Sequence, residues 1–288
     1  MRRPKEISRE EDLMGTLVEL TSAFEGIASM RIAQIKDQVV QSTNFFNDLW
    51  NIYTQLRAGN VFSFGRVKEK PENFIDKELL VMITSESGLS GDIDQKLVEL
   101  MLKTHNRETN DIIVIGHHGA QLLAQRGVAY KHYFKLPKQD NNINVEPVER
   151  LVQQYRTTKL FYQQYVSLMS QDARSIELSS AVEQRGSATT ESDEIISTFN
   201  YIFEPSVHEL AAHLERSMMQ IALVQLIWES KLAQYASRFR AMTASHERAD
   251  NDKRALHIEF NRAQRSIKDQ RLKEVISGLK KSRIGSGG

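Results

Sequence analysis

The chain of 288 residues contains no cysteine, which excludes disulfides, thiolate metal sites, cysteine nucleophiles and thiol-based redox switching. No apolar run approaches the ~18 residues that a helix needs to cross a bilayer, so we expect no direct membrane insertion. Lys and Arg number 38 against 37 for Asp and Glu. Since proteins that bind nucleic acid usually carry a basic excess, this balance argues against a nucleic-acid partner. The start of the chain is basic but leads into charged residues, unlike a secretory signal.

Helix-breaking residues are missing from the last third of the chain. Pro205 is the last proline, and no glycine occurs between Gly186 and Gly278. Residues 206–277 are rich in strong helix formers, and a continuous helix over them would be ~110 Å long. Apolar residues recur there about every 3.5 positions, the heptad period of a left-handed coiled coil. They are Val207, Leu210, Leu214, Met218, Ile221, Val224, Trp228, Leu232, Tyr235, Phe239 and Met242.

The N-terminal segment predicts a second long helix. Ser8 to Glu11 match a capping box, in which a serine and a glutamate three residues later satisfy free amides. One apolar stripe then continues until Gly59. Its members are Leu13, Leu17, Leu20, Phe24, Ile27, Met30, Ile35, Val39, Phe46, Leu49, Tyr53 and Leu56. Two such stripes at opposite ends of one chain can cover each other by folding back antiparallel.

Between these helices the sequence predicts an α/β domain with a mostly parallel sheet, because strand and helix patterns alternate. We predict strands at 78–84, 111–115, 128–134, 159–169 and 175–182, helices at 92–106, 118–125 and 145–155, and a polar loop at 184–193. The predicted organisation is therefore an N-terminal coiled-coil helix (1–58), a Rossmann-like α/β domain (59–205), a C-terminal coiled-coil helix (206–284) and a flexible tail (285–288).

Glycine-rich turns are the main candidates for chemistry. Residues 116–119 (GHHG) follow a strand and open a helix, a position where backbone amides can hold phosphate. A dinucleotide motif is longer, however, so a tight structural turn is favoured, and neighbouring histidines that point apart argue against a metal site. Residues 87–91 (SGLSG) lack the spacing of a nucleophile elbow, and no Walker sequence occurs. We expect no cofactor, no metal and no catalytic residue.

The C-terminal segment is locally basic. From Ala236 to Arg283 there are 13 Lys or Arg and 6 Asp or Glu. A solvated helix face and a basic track for an acidic partner surface both fit this excess.

Three C-terminal segments carry a resemblance to the gamma subunits of F-type ATP synthases. The family pattern A-S-R-M-x-A-M, then Y-N-K-A-R-Q, then I-T-x-E-L-x-E-I-V-x-G resembles ASRFRAM at 236–242, FNRAQR at 260–265 and LKEVISG at 272–278, without a gap. The pattern S-D-R-G-L-C-G-G-L-N is similar to SESGLSGDID at 85–94. I-G-x-K-G matches 115–119, Y-x-Y-E-P resembles YIFEP at 201–205, and M-R-K-x-Q is similar to the segment from Met30 to Gln34.

The chain also departs from the family pattern. Where relatives carry the basic K-I-T-K-A-M, this chain has LVELTS at 17–22. The family's R-Q pair is transposed to Gln264-Arg265, and the I-T-x-E stretch reads KDQR at 268–271. The resemblance is therefore to a divergent member.

The resemblance implies a non-catalytic central rotor shaft that couples ion-driven rotation of a membrane ring to proton-motive-force-driven ATP synthesis in catalytic beta subunits. It implies contact with a beta-subunit catch through Asn261, Arg262, Gln264 and Arg265. It implies an upper bearing at Leu272, Val275, Ile276 and Leu279. It implies a foot for the epsilon subunit and the ring at Tyr201, Glu204, Ser87 and Gly88.

The implied partners are the alpha and beta subunits of the catalytic hexamer, the epsilon subunit and the membrane c-ring, at the cytoplasmic face of a bacterial cell membrane. Three alternatives remain open at this point. One is a coiled-coil scaffold with an α/β head, and another is the shaft of a paralogous rotary ATPase. The third is an α/β enzyme that uses the turns at 88–91 or 116–119.

Overall fold

The computed structural model describes residues 2–57, 73–137, 143–187 and 207–285, without the side chains of 55–57, 183–187, 207, 208 and 279–285. These residues divide between two compact units. We call Met1–Ile27 with Ala241–Gly288 the paired-helix unit and Ala28–Arg240 the sheet unit. In chain order, the elements are α1 (Pro4–Arg57), β1 (Ile75–Ile83), α2 (Ile93–Thr104), β2 (Asn110–Ile115), α3 (His117–Gln125), β3 (His132–Phe134), α4 (Glu146–Val152), β4 (Tyr155–Tyr165), β5 (Gln171–Glu177), α5 (Leu178–Ser187) and α6 (Val207–Gly285).

The two long terminal helices predicted from the sequence are confirmed, but α1 begins earlier than predicted. The amides of Glu6 and Ile7 donate to the carbonyl of Arg3, and Pro4 occupies the first turn. Proline suits that position because it has no amide to leave unpaired. The capping-box prediction was therefore wrong, since Ser8 lies inside the helix.

The sheet of the sheet unit has five strands in the order β3-β2-β1-β4-β5. Parallel pairs join β1 to β2, β1 to β4 and β2 to β3, whereas β5 runs antiparallel to β4. The apolar residues of β1 and β2 make these strands central, because a parallel strand covered on both faces must be apolar throughout. The prediction of a mostly parallel α/β sheet is confirmed.

Two apolar layers enclose this sheet. On one face, side chains of α1, α4, α5 and α6 pack against Leu79, Val81, Ile83 and Ile113. On the other face, α2 and α3 cover Leu80, Met82, Ile112 and Val114. The alternation of β1 side chains between the two layers is the period-two pattern of a strand.

The last predicted strand was partly wrong. The structure ends β5 at Glu177 and begins α5 at Leu178, so 178–182 and the predicted loop residues 184–187 are helical. Leu178, Ala181 and Val182 are all buried, and their i, i+3, i+4 spacing is the spacing of one helix face. Residues 188–193 of the predicted loop lie outside the described residues.

In the paired-helix unit, the two helices run antiparallel. Thr21 contacts His246, and Glu11, which lies earlier in α1, contacts the later His257. Thr243 donates to Glu25 at 2.8 Å. The seam is thin: Ile7, Thr21, Met242, Ala249 and Ala263 are buried along it, and polar pairs such as Thr243 and Glu25 flank them.

The first half of the predicted N-terminal stripe lies on the wrong face of α1. Leu13, Leu17, Leu20, Phe24, Ile27 and Met30 are all exposed, between 38% and 64%. In this half of α1, the buried positions are Ile7, Thr21, Ala28 and Ile35, which lie at multiples of seven residues. In the paired-helix unit, the side of α1 that carries Ile7 and Thr21, and not the stripe of leucines, therefore faces α6. Further along, the predicted burial of Ile35, Phe46 and Tyr53 is confirmed.

Candidate functional site

The loop between β1 and α2, residues 84–92, has an unusual backbone. Leu89 has a φ of 68° and Gly91 a φ of 64°. The left-handed region is readily open to glycine, but it costs a leucine about 1–2 kcal/mol. The predicted foot residues Ser87 and Gly88 lie in this loop. Surrounding contacts must therefore hold the loop in its shape.

Arg238 of α6 supplies these contacts. Its Nη2 lies 3.0–3.2 Å from the carbonyl oxygens of Ser87 and Gly88 and from the hydroxyls of Ser87 and Ser90. The guanidinium carbon lies 5.3 Å from the ring centre of Tyr235, in a cation–π arrangement. Burial lowers the pKa of Arg238, yet an arginine remains charged in proteins. A fixed positive charge therefore binds the oxygen atoms of the β1–α2 loop.

Ser237 makes a second contact with the same loop. Its hydroxyl donates to the carbonyl of Ser90 at 2.7 Å, and both residues are buried. A Cβ at Gly91 would lie 3.5 Å from the Ser237 Oγ, so helix and loop are close together.

A buried polar network lies beneath the loop, centred on Asp94 of α2. The Asp94 carboxylate accepts from the Ser85 hydroxyl at 2.5 Å and from the Gln163 amide at 2.6 Å, and lies 2.7 Å from the Nδ1 of His118. Asp94, Gln163 and Ser85 are at most 1% exposed. The hydrogen bond to Asp94 raises the pKa of His118. A buried carboxylate with three partners is stable where an unpaired one would be costly.

The same network reaches α6 through Gln163 of β4. The Oε1 of Gln163 accepts from the Ser230 hydroxyl and from the Gln234 amide, the latter at 3.2 Å. Ser230, Gln234, Ser237 and Arg238 lie at i, i+4, i+7 and i+8, on one side of the helix. We call these four residues the α6 polar stripe. It joins α6 to the β1–α2 loop and to β4, and through Asp94 to α2 and α3.

The turn at 116–119 is confirmed as a tight structural turn. Gly116 has a φ of +100°, and a Cβ there would lie 2.0 Å from the backbone oxygen of Thr84. The two histidines point to different partners, since His118 contacts Asp94 and the His117 ring lies edge-on to Tyr133. Only glycine fits the first position of this turn.

A cleft of about 540 Å³ opens beside the loop, at the carboxyl ends of β1, β2 and β3. Lys135, Lys231 and Arg238 give its lining a basic character. Lys231 lies 3.5 Å from the carbonyl of Pro137, and Arg238 is bound to the loop. Of the three cationic side chains that line the cleft, Lys231 and Arg238 therefore already bind oxygen atoms of this chain.

The predicted catch residues lie on the C-terminal part of α6, in the paired-helix unit. Asn261, Arg262, Gln264 and Arg265 are all exposed. Arg262 and Arg265 line one shallow groove together with Asp269 and Lys273, whereas Gln264 is not part of that groove. The structure thus brings two of the four predicted residues together.

The predicted bearing residues are apolar and exposed. Leu272, Val275 and Ile276 are 60%, 59% and 45% exposed. Leu279 lies outside the described side chains, and the foot residues Tyr201 and Glu204 lie outside the described residues.

Among the described residues, no helix is both long and apolar enough to cross a membrane. Within the same ranges, no three His, Cys, Asp or Glu residues are placed to hold a metal ion.

Sequence reasoning missed the α6 polar stripe and Asp94. Ser237 and Arg238 lie in a motif that was recognised, but nothing in that motif indicated their partners. A signal was present, because Ser230, Gln234 and Ser237 interrupt an apolar helix at spacings of four and three. Polar residues at helical spacing on a buried face predict a buried hydrogen-bonding partner.

Comparison with known proteins identifies what the chain is similar to. The family model described as ATP synthase matches residues 4–280. The ATP synthase gamma chain of Chlorobaculum tepidum is 21% identical over 279 residues, which cover 90% of this chain and 92% of the relative. The ATP synthase gamma chain of Geobacter metallireducens is 24% identical over 274 residues, with coverage of 90% and 92%.

Solved structures share the fold. A chain of the Euglena gracilis mitochondrial ATP synthase superposes with a TM-score of 0.65 at 13% identity, over 99% of this chain and 97% of that chain. A chain from the central stalk and c-ring of the Tetrahymena thermophila mitochondrial ATP synthase gives a TM-score of 0.56 at 18% identity, over 78% and 98%.

Proposed function

The chain belongs to the ATP synthase gamma-chain family, and we propose that it is the central rotor shaft of an F-type ATP synthase, without catalytic activity of its own. The paired-helix unit turns inside a hexamer of alternating alpha and beta subunits. The sheet unit binds the epsilon subunit and the membrane c-ring. The whole assembly lies at the cytoplasmic face of a bacterial cell membrane.

One observation carries this proposal beyond family membership: both helices of the paired-helix unit expose large apolar side chains. Leu13, Leu17, Leu20, Phe24 and Ile27 on α1 are 38–64% exposed. On α6, Ile267, Leu272, Val275 and Ile276 are 38–60% exposed. Exposed apolar surface of this kind is typical of a segment that another protein surrounds.

The two helices of this unit also differ in charge. From residue 4 to 27, α1 carries two basic and six acidic residues, while α6 carries eleven basic and six acidic residues from 241 to 285. A shaft whose sides differ in charge presents a different surface to each of three identical beta subunits. Each orientation can then favour a different nucleotide-site conformation, by at most the difference in contact energy between those conformations.

Arg262 and Arg265 suit a catch on this shaft. Both are exposed in one groove, and an arginine forms charge-assisted hydrogen bonds with an acidic loop that can break and re-form. Although the family's R-Q pair is reversed to Gln264-Arg265 in this chain, Arg265 still lines the groove.

Co-purification tests the proposal directly. A tagged copy of the chain, expressed in its own host and solubilised from native membranes with mild detergent, should recover alpha, beta, epsilon and c subunits in fixed stoichiometry. Recovery of the chain alone, or with unrelated proteins, would support the scaffold alternative and refute the rotor.

A further inference from the structure

We propose that the α6 polar stripe, together with the β1–α2 loop, is the joint through which torque passes between α6 and the five-stranded sheet. This inference rests on the proposed rotor function and assigns positioning roles to Arg238, Ser237, Gln234 and Ser230.

The first argument is the direction of the contacts. A torque about the axis of α6 acts sideways on every side chain that projects from the helix. Apolar side chains resist such a force weakly, because neighbouring packings of similar energy exist. Hydrogen bonds are directional, and those of Arg238 at 3.0–3.2 Å end on backbone and hydroxyl oxygens of a single loop. Rotation of α6 against the loop would break several of them at once.

The second argument is the stiffness of the loop. Leu89 and Gly91 both hold positive φ angles, and the Ser90 carbonyl between them accepts from Ser237. A loop that stores strain in this way keeps its shape only when its surroundings fix it. The loop therefore passes a force on to β1 and α2 instead of absorbing it.

The third argument is the depth that the network reaches. Ser230 and Gln234 bind Gln163 in β4, and Gln163 binds Asp94 in α2. Asp94 in turn contacts the β1–α2 loop through Ser85 and α3 through His118. Hence α6 is joined to strand β4, to the β1–α2 loop and to two helices on the far layer of the sheet. A contact made only to hold α6 on the surface would not need this extension.

The test uses the complete complex with Arg238→Ala, in membrane vesicles that contain the native partners. ATP hydrolysis should persist, because α6 can still turn within the hexamer. Loss of a charged hydrogen bond should make arrangements in which α6 has slipped against the loop about tenfold more populated, so ATP-driven ion transport per ATP hydrolysed should fall. Transport is measured with a pH-sensitive dye and with radioactive sodium, so that either coupling ion is detected.

Arg240→Ala is the matched control. Arg240 lies on the same helix, is exposed, and makes a single bond at 2.9 Å to the carbonyl of Met169 in the β4–β5 turn. It should leave transport per ATP within about twofold of the wild type. Arg238→Lys keeps the charge and the stem but not the planar donor group, and should resemble Arg238→Ala. Because Arg238→Lys disturbs packing less than Arg238→Ala, it provides the test of the joint if the Arg238→Ala complex fails to assemble.

A reversible cross-link separates a mechanical role from a merely structural one. The chain has no cysteine, so Gly91→Cys with Ser237→Cys introduces a single thiol pair where the Gly91 Cβ position lies 3.5 Å from the Ser237 side chain. In the Arg238→Ala background, oxidation should restore transport per ATP and reduction should remove it again.

Two results would overturn the inference. One is an unchanged ratio of transport to hydrolysis in Arg238→Ala and Arg238→Lys. The other is a cross-link, verified on a non-reducing gel, that fails to restore that ratio. Either result leaves the rotor function intact as long as the wild-type chain co-purifies with its partners, whereas loss of co-purification refutes the rotor function itself.

Discussion

The exposed apolar face of α1 gives the sharpest test of the proposed rotor. We consider the triple change Leu17→Gln, Leu20→Gln and Phe24→Gln. Glutamine is a good helix former and has a similar length, so α1 should remain helical. The three side chains are 41%, 51% and 38% exposed, so their replacement leaves the buried seam intact. Only a partner that covers this face should respond to the change.

The expected magnitude follows from the exposed fractions. Full burial of a leucine or phenylalanine side chain contributes about 1.5–3 kcal/mol. Because roughly half of each side chain is still exposed, a covering partner gains about 1 kcal/mol per residue. The triple change should then weaken association by about 3 kcal/mol, or about a hundredfold in Kd.

The assay is binding of the purified chain to a separately prepared hexamer of alpha and beta subunits, measured by light scattering or surface plasmon resonance. Val166→Gln with Met169→Gln is the matched control, because these side chains are 56% and 66% exposed in the sheet unit. The control pair should bind like the wild type. Equal affinity of the triple variant and the wild type, within threefold, would refute an apolar contact at this face.

Three further predictions concern the other sites. Gln264→Ala combined with Arg265→Ala should lower ATP-driven transport while assembly survives, and unchanged pumping would remove the catch role. Gly116→Ala should lower the free energy of unfolding by more than about 3 kcal/mol, because its Cβ would meet the Thr84 backbone. Gly127 has a φ of +68° but open space around it, so Gly127→Ala should lower that free energy by about 1–2 kcal/mol. Denaturant titration measures both losses, and equal losses would refute the steric argument. Because the pKa of His118 is raised in the folded state, its protonation should stabilise the fold below pH ~6.5, and this stabilisation should be lost as the pH rises through the folded-state pKa. A His118→Gln variant whose free energy of unfolding depends on pH in the same way as that of the wild type would contradict this.

Much of the fold follows from local sequence signals. The C-terminal helix was predictable because proline and glycine are absent over 206–277, and the central strands because a run such as IIVI at 112–115 suits only a buried position. The boundary between β5 and α5 was harder. Ile176 and Leu178 alternate as in a strand, but Leu178, Ala181 and Val182 share a helix face. The spacing is ambiguous there, and tertiary packing decides between the two.

The face of α1 shows a different kind of limit. Two heptad stripes overlap on this helix, one with Leu13, Leu17 and Leu20 and one with Ile7, Thr21 and Ala28. Burial rules favour the leucine stripe, yet the structure buries the second stripe and leaves the leucines exposed. Sequence patterns report that a face is apolar, but not whether this chain or another one covers it. The proposed hexamer resolves the conflict, since it gives the exposed leucine stripe a partner.

Buried hydrogen bonds account for a feature of α6 that hydrophobic packing leaves unexplained. An apolar face alone would hold this helix on the sheet in several registers of similar energy. Ser230, Gln234 and Arg238 favour one register, because a shift by one turn in either direction would place Leu226 or Met242 against one of the polar partners of this stripe. An unsatisfied buried group costs about 1–3 kcal/mol, so a few such groups separate the correct register from its neighbours. For a shaft whose angle selects the state of each catalytic site, a fixed register is worth more than added stability.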